Sequence, residues 1–140
     1  MKQIIKTLIT AFIPFLFFIL LFNLFSNQTS AKEKTSKITF KKTMHDFGKV
    51  NEGAELNYKF KFRNDGEKKL VIQNVQASCG CTGAAIGDKK EFKKGEEGEI
   101  IVTFNTAGRS GEQSKTVTVQ SNDPENPEVI LSFTCEIISQ

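Results

Sequence analysis

The chain has 140 residues, of which 39% are hydrophobic and 25% charged, and its formal net charge is +3. Most of the excess charge belongs to the N-terminus, because residues 32–140 hold 17 basic and 16 acidic residues, a net charge of only +1. This balance argues against a nucleic-acid-binding protein. Those 109 residues are enough for one domain with a single core.

The N-terminus has the order of a secretory signal, since Lys2 and Lys6 precede an almost uninterrupted apolar run over 8–25. Small residues follow at Thr29 and Ala31, and they predict cleavage after Ala31 and a mature protein that begins at Lys32. The run has 18 residues, more than the ~7–15 of an ordinary signal core and close to the ~20 of a spanning helix. The alternative is therefore that residues 4–25 form an uncleaved anchor in the inner membrane. Either way the rest of the chain is expected in the periplasm or outside the cell of a bacterium.

Beyond a polar linker at 32–37, apolar and polar residues alternate, which is typical of strands that bury one face. The clearest runs are 56–62, 100–104, 117–119 and 129–137, and the last of these places Phe133 and Cys135 inside. Turn-forming Asn, Asp and Gly residues separate the runs, and no segment shows the apolar period of a helix. The pattern predicts an all-β domain over 38–140, a β-sandwich, preceded by a hydrophobic leader helix within 1–31.

The order of motifs along this domain resembles a known family. The motifs are His-Asp-Phe-Gly-Lys-Val at 45–50, Phe-Lys-Phe-Arg-Asn-Asp-Gly at 60–66, Ser-Cys-Gly-Cys-Thr at 78–82, and Phe-Asn-Thr at 104–106. Together they resemble the bacterial exported domain-of-unknown-function family 1573 and, more distantly, the Hydin-type and major-sperm-protein-type sandwiches. The resemblance implies an immunoglobulin-like sandwich of seven or eight antiparallel strands and no established activity. The chain departs from the family pattern at Lys94, usually a proline, and at Cys135, usually a small residue.

Cys79 and Cys81, with Gly80 between them, are the candidate site residues. An extended pair two residues apart spans about 6.6–6.8 Å, the upper edge of the ~4.4–6.8 Å that a disulfide allows. Gly80 can shorten this distance because it has no Cβ, and the small ring would be strained and easily reduced. Two thiolates on a turn also suit Cu(I). Zinc normally takes three or four protein ligands, and the sequence offers no further ligands at a paired spacing beside the two cysteines. Simple packing or a local bridge is the alternative to metal or redox chemistry.

The other titratable candidates are weaker. His45, the only histidine, follows Met44 and is a possible copper ligand, although a structural role is the commoner one for a lone histidine. Cys135 is expected in the core. With one histidine there is no triad to assemble, and neither a phosphate loop nor a metal-hydrolase motif is present in the sequence, so no enzyme is predicted.

The sequence therefore favours an exported, non-enzymatic immunoglobulin-like domain that binds or scaffolds another cell-envelope component. The expected partner is an envelope protein or a glycan, not a nucleic acid, with membrane contact only through an uncleaved N-terminus. Exposed strand edges and loops are the expected contact surfaces. The alternative is a small thiol protein that carries copper or exchanges disulfides through Cys79 and Cys81.

Overall fold

A computed structural model describes residues 33–138, and the predicted leader, cleavage site and anchor lie outside these residues. Within 33–138 no helix is long and apolar enough to cross a membrane. The same residues form nine strands and no helix, as the alternating pattern predicts. The strands are β1 (Ile38–Phe40), β2 (Met44–Asn51), β3 (Glu55–Asn64), β4 (Leu70–Ala77), β5 (Thr82–Ala85), β6 (Glu91–Phe92), β7 (Glu97–Asn105), β8 (Gly111–Ser121) and β9 (Glu128–Ile138).

The strands form the two sheets of a sandwich. One sheet has four strands in the order β1-β3-β7-β5, and the other has five in the order β2-β9-β8-β4-β6. All pairs are antiparallel except β2 with β9, which is parallel. The exception arises because the chain changes sheets between β1 and β2, so that β2 lies beside the last strand. The expected number of strands, seven or eight, was smaller than the nine observed. The difference arises because β1 and β6 have only three and two residues, too few for an alternating pattern.

The core lies between the sheets and contains the residues at the alternating positions. On β9, Leu131, Phe133, Cys135 and Ile137 are at most 4% exposed, so the predicted inward face of this strand is confirmed. The largest fully buried side chains are Phe60, Phe62, Phe104 and Phe133. Among the described residues, every buried side-chain nitrogen and oxygen has a hydrogen-bond partner.

Asn64, at the end of β3, is a buried polar residue that connects four segments. Its Nδ2 donates to the carbonyl oxygens of Lys68 (2.8 Å) and Phe92 (2.9 Å). Its Oδ1 accepts from the backbone N–H groups of Gly66 (3.0 Å) and Lys37 (3.3 Å). A Cβ on Gly66 would lie only 2.4 Å from a backbone oxygen of the segment before β1, so glycine is needed for this close approach. The Asn-Asp-Gly motif is therefore a structural clamp as well as a turn.

Candidate functional site

The Cys79-Gly80-Cys81 turn connects β4 of one sheet with β5 of the other. Cys79 and Cys81 form a disulfide whose Cα atoms are 5.3 Å apart, shorter than an extended pair would allow. The Thr82 N–H donates to the Cys79 carbonyl (3.2 Å), which closes the turn. The Thr82 hydroxyl lies 3.4 Å from Cys79 Sγ. The turn is thus a local bridge with both cysteines partly exposed.

Gly80 plays a smaller part in this bend than its position suggests. Its φ lies outside the left-handed region that favours glycine. A Cβ at this position would meet no atom within 4 Å. The bend therefore follows from the disulfide and from the Thr82 hydrogen bond, without a conformation that only glycine adopts.

The bridged state limits what the turn can do with metals. A disulfide sulfur is not a thiolate, so Cu(I) binding by Cys79 and Cys81 requires reduction first. Within residues 33–138 no group of three or more His, Cys, Asp or Glu side chains is arranged to hold a metal ion. Copper binding and disulfide exchange by this pair both stay predictions.

Cys135 is separate from the pair. It carries a free thiol on β9, is 4% exposed, and faces the core as predicted. Burial raises the pKa of this thiol, which keeps it protonated and poorly nucleophilic. Its contribution is that of a small apolar side chain.

His45 contributes to an aromatic cluster that the sequence analysis did not anticipate. Its ring stacks on Tyr58 of β3, with ring centroids 3.6 Å apart and planes at 10°. Phe47 lies edge-on to His45 (4.5 Å) and to Phe133 (5.7 Å). Partial burial lowers the pKa of His45, although Asp46 opposes this shift. In the sequence, His45 and Phe47 occupy alternate positions of β2, and this spacing was the signal that both side chains face inward and pack between the sheets.

Removing the disulfide is expected to cost little stability. The chain-entropy relation gives ~1.6 kcal/mol for a closed loop of three residues, because such a loop is already short in the unfolded chain. Cys79→Ala with Cys81→Ala should therefore lower the free energy of unfolding by about 1–2 kcal/mol in urea titrations. Reductant should lower the stability of the unmodified protein by the same amount and leave the double variant unchanged. Cys81 is partly buried against the core, and a loss above about 3 kcal/mol would show that this packing contributes more than the bridge.

The outer face of the five-stranded sheet carries a patch without charged side chains, here called the neutral face. It is defined by Met44, Gln76, Thr116, Thr118, Ile130 and Ser132. Asp46, Glu112, Glu128 and Glu136 lie on the same outer face and border it, and the Thr134 hydroxyl donates to Asp46 Oδ1 (3.1 Å). The registers place the residues of the neutral face in neighbouring rows, such as Gln76 beside Thr118 and Thr118 beside Ile130. Met44 and Ile130 are 66% and 58% exposed, unusual values for large apolar side chains. The neutral face thus combines hydroxyl and amide groups with two exposed apolar side chains.

The outer face of the four-stranded sheet has charged side chains along β3. Its exposed positions on β3 include Glu55, Lys59, Lys61 and Arg63, and they alternate with the buried aromatic residues. Lys59 pairs with Glu99 of β7 across the sheet at 2.5 Å. The neutral face is thus a charge-free patch with acidic residues at its borders, whereas charged residues follow one another along β3 on the other sheet.

These two packed sheets define the class of the fold, an immunoglobulin-like β-sandwich. The family model described as "Protein of unknown function (DUF1573)" matches residues 38–137. The chain therefore belongs to the DUF1573 family, as its motifs indicate. No curated protein matches the chain.

Solved structures show the same fold at low sequence identity. A protein of unknown function from Porphyromonas gingivalis W83 superposes with a TM-score of 0.65 at 18% identity, covering 79% of this chain and 51% of its own. This chain thus spans about half of that protein. The PapD-like domain 7 of human CEP192 gives a TM-score of 0.62 at 9% identity, with 81% and 93% coverage. The VesB protease of Vibrio cholerae gives 0.60 at 11% identity, but only 32% of its chain is covered. These likenesses concern the fold alone.

Proposed function

We propose that this protein is an exported, non-enzymatic binding module that holds another component of the cell envelope on its neutral face. The observation that carries the proposal is the charge-free patch around Thr118 and Ile130, which acidic side chains border on the same sheet. Export rests on the N-terminal sequence, with its lysines and apolar run.

The chemistry of the neutral face suits a stable contact. Charged residues are depleted from the centres of protein interfaces, because an unpaired charge is costly to remove from water. Threonine and serine hydroxyls and the Gln76 amide offer donors and acceptors to a protein backbone or to a glycan. Met44 and Ile130 add apolar area that is exposed in the free domain.

The sheet supports this patch rigidly. β8 pairs with β9 over ten residues and with β4 on its other side, so the central rows of the neutral face lie on paired strands. A preorganised surface loses little conformational entropy when it binds. The likeness to VesB does not favour an enzyme, because at 11% identity it concerns the fold.

Site-specific crosslinking in the native cells tests the proposal. A photoreactive residue at Thr118 of the full chain is expected to give a discrete crosslinked product, whereas one at Asn126, on the exposed β8–β9 turn, should not. Ile130→Lys should reduce the Thr118 product at least about tenfold, because it places an unpaired charge in the contact. Asn126→Lys adds the same charge outside the neutral face and should leave the product unchanged.

Two results would contradict the proposal. One is the absence of any product specific to Thr118. The other is an equal yield of that product from the protein with and without Ile130→Lys. Because Ile130 is exposed, the substitution should leave the melting temperature nearly unchanged, and this control separates lost binding from lost folding.

A further inference from the structure

The longest uncovered strand edge in the four-stranded sheet is on β3. This strand has ten residues, but β1 pairs only with Phe62, Arg63 and Asn64 at its end. On its other side β3 pairs with β7 from Glu55 to Arg63. After Phe40 the chain leaves this sheet and enters the other one as β2. Six residues of β3, from 55 to 60, thus have no strand on the β1 side within residues 33–138, a length of about 20 Å at ~3.4 Å per residue.

The hydrogen bonds around β1 identify the backbone groups at this edge. The Asp65 N–H donates to the Lys37 carbonyl (2.9 Å), and the Lys41 N–H donates to the Lys61 carbonyl (3.0 Å). On the other side of the strand, Asn64 exchanges backbone hydrogen bonds with Gly95 and Glu96. Because the direction of the backbone groups alternates along an antiparallel strand, the N–H and C=O groups of Asn57 and Lys59 point to the uncovered side. They form a template for one more strand.

A groove with a volume of about 800 Å³ lies along this edge. Four lysines line it, Lys41, Lys42, Lys59 and Lys61, together with Asn57, Tyr58, Phe60 and Ile101. Tyr58 is held by its stack on His45 at 3.6 Å and by its edge contact with Phe60 at 4.8 Å. Tyr58 is therefore a fixed, partly buried aromatic side chain beside a row of unpaired backbone groups.

The charge of the groove selects its occupant. Glu97 and Glu99 pair with Lys41 (3.3 Å) and Lys59 (2.5 Å). Within residues 33–138, Lys42 and Lys61 have no carboxylate within salt-bridge distance. The four lysines outnumber Glu55, the one carboxylate of β3, so a second copy would bring mostly the same charge to this edge, which disfavours pairing with it. The same lysines attract a strand that carries carboxylates.

We infer that the β3 edge from Glu55 to Lys61 binds an extended polypeptide with carboxylates at alternate positions. The peptide continues the line of β1 and exchanges backbone hydrogen bonds with Asn57 and Lys59. Its acidic side chains stand on the same outer face as Lys59 and Lys61, because alternate residues of paired strands share a face. The site is separate from the neutral face and does not depend on it.

The test uses the full chain and a pool of ten-residue peptides with Asp or Glu at alternate positions and Thr or Val between them. Binding is measured by fluorescence anisotropy at low and high salt. Members of the pool are expected to bind, and more weakly at high salt. Two control sets consist of the same peptides with methyl groups on alternate backbone nitrogens. One set is methylated at the odd positions and the other at the even positions. One of the two methylated sets should lose at least about tenfold in affinity, because it can no longer donate to the edge.

Protein variants separate the backbone from the charge. Lys59→Pro removes the outward N–H but no hydrogen bond to β7, and it should reduce binding at least about tenfold compared with Lys59→Thr, which keeps the N–H. Lys42→Glu with Lys61→Glu should reduce binding of acidic peptides and increase binding of peptides with Lys at the same positions. Melting temperatures show whether each variant is folded. If Lys59→Pro unfolds, the methylated peptides decide the question.

Three outcomes would overturn the inference. The first is that no peptide of the acidic pool binds. The second is that both methylated sets bind as tightly as the unmodified peptides, which would show attraction to lysines without strand pairing. The third is that the double charge reversal has no effect, which would place the peptide elsewhere on the domain.

Discussion

Asn64→Ala is expected to lower the free energy of unfolding by about 4 kcal/mol or more. The substitution removes four side-chain hydrogen bonds, two donated to carbonyls and two accepted from backbone N–H groups. Asn64 is fully buried, and leaving a buried group without its partner costs ~1–3 kcal/mol per group. Domains have only ~5–15 kcal/mol of stability in total, so a large fraction of the variant should be unfolded. Urea unfolding followed by circular dichroism measures the change.

Two further variants give this prediction its controls. Asn74→Ala removes an exposed asparagine with one side-chain bond, to Gln120 at 3.3 Å, and should cost less than about 1 kcal/mol. Asn64→Asp keeps the acceptor but loses both amide donors and places a carboxylate near two carbonyl oxygens, so it should be nearly as damaging as alanine. If Asn64→Ala matched Asn74→Ala in stability, the clamp would contribute nothing to the fold.

Phe133→Ala is expected to cost ~3–5 kcal/mol, the range for emptying an aromatic core site. Phe133 is 1% exposed on β9 and lies between Phe47 of β2 (5.7 Å) and Phe104 of β7 (5.5 Å). Its loss therefore leaves a cavity where both sheets meet. Paired strands on either side of β9 prevent the backbone from collapsing into that space.

Ser132→Ala, at the preceding position of the same strand, is the matched control. Its side chain lies on the opposite face of the sheet, so the change should stay within about 0.5 kcal/mol. Equal melting temperatures for Phe133→Ala and the unmodified protein would contradict the inward assignment of Phe133.

The sheet-forming segments were predictable because a half-buried strand repeats every two residues. The series at 129–137 specified the buried face of β9 correctly, including Phe133 and Cys135. Parallel pairing of β2 with β9 was not predictable, since alternation reports burial and does not identify the neighbouring strand. This pair exists because the chain crosses to the other sheet after Phe40. No pattern of apolar residues in the sequence marks that crossing.

The candidate site was predictable only in part. Two cysteines separated by one residue indicated a local bridge among other readings, and the structure contains that bridge. The stack of His45 on Tyr58 joins residues 13 positions apart in the sequence, on different sheets, and no local pattern encodes it. The neutral face was hidden for the same reason, since its residues come from β2, β4, β8 and β9 and become neighbours only through register.

The sequence by itself determined the all-β class, the inward faces of the strands and the family. Each of these follows from local spacing, from residue type or from the order of motifs. Only the tertiary structure decided that Asn64 connects four segments, that β3 keeps an uncovered edge beside four lysines, and that a charge-free patch lies within one sheet face. These features depend on which strands lie side by side, and that choice is made by burial of the whole core, to which residues far apart in sequence contribute together.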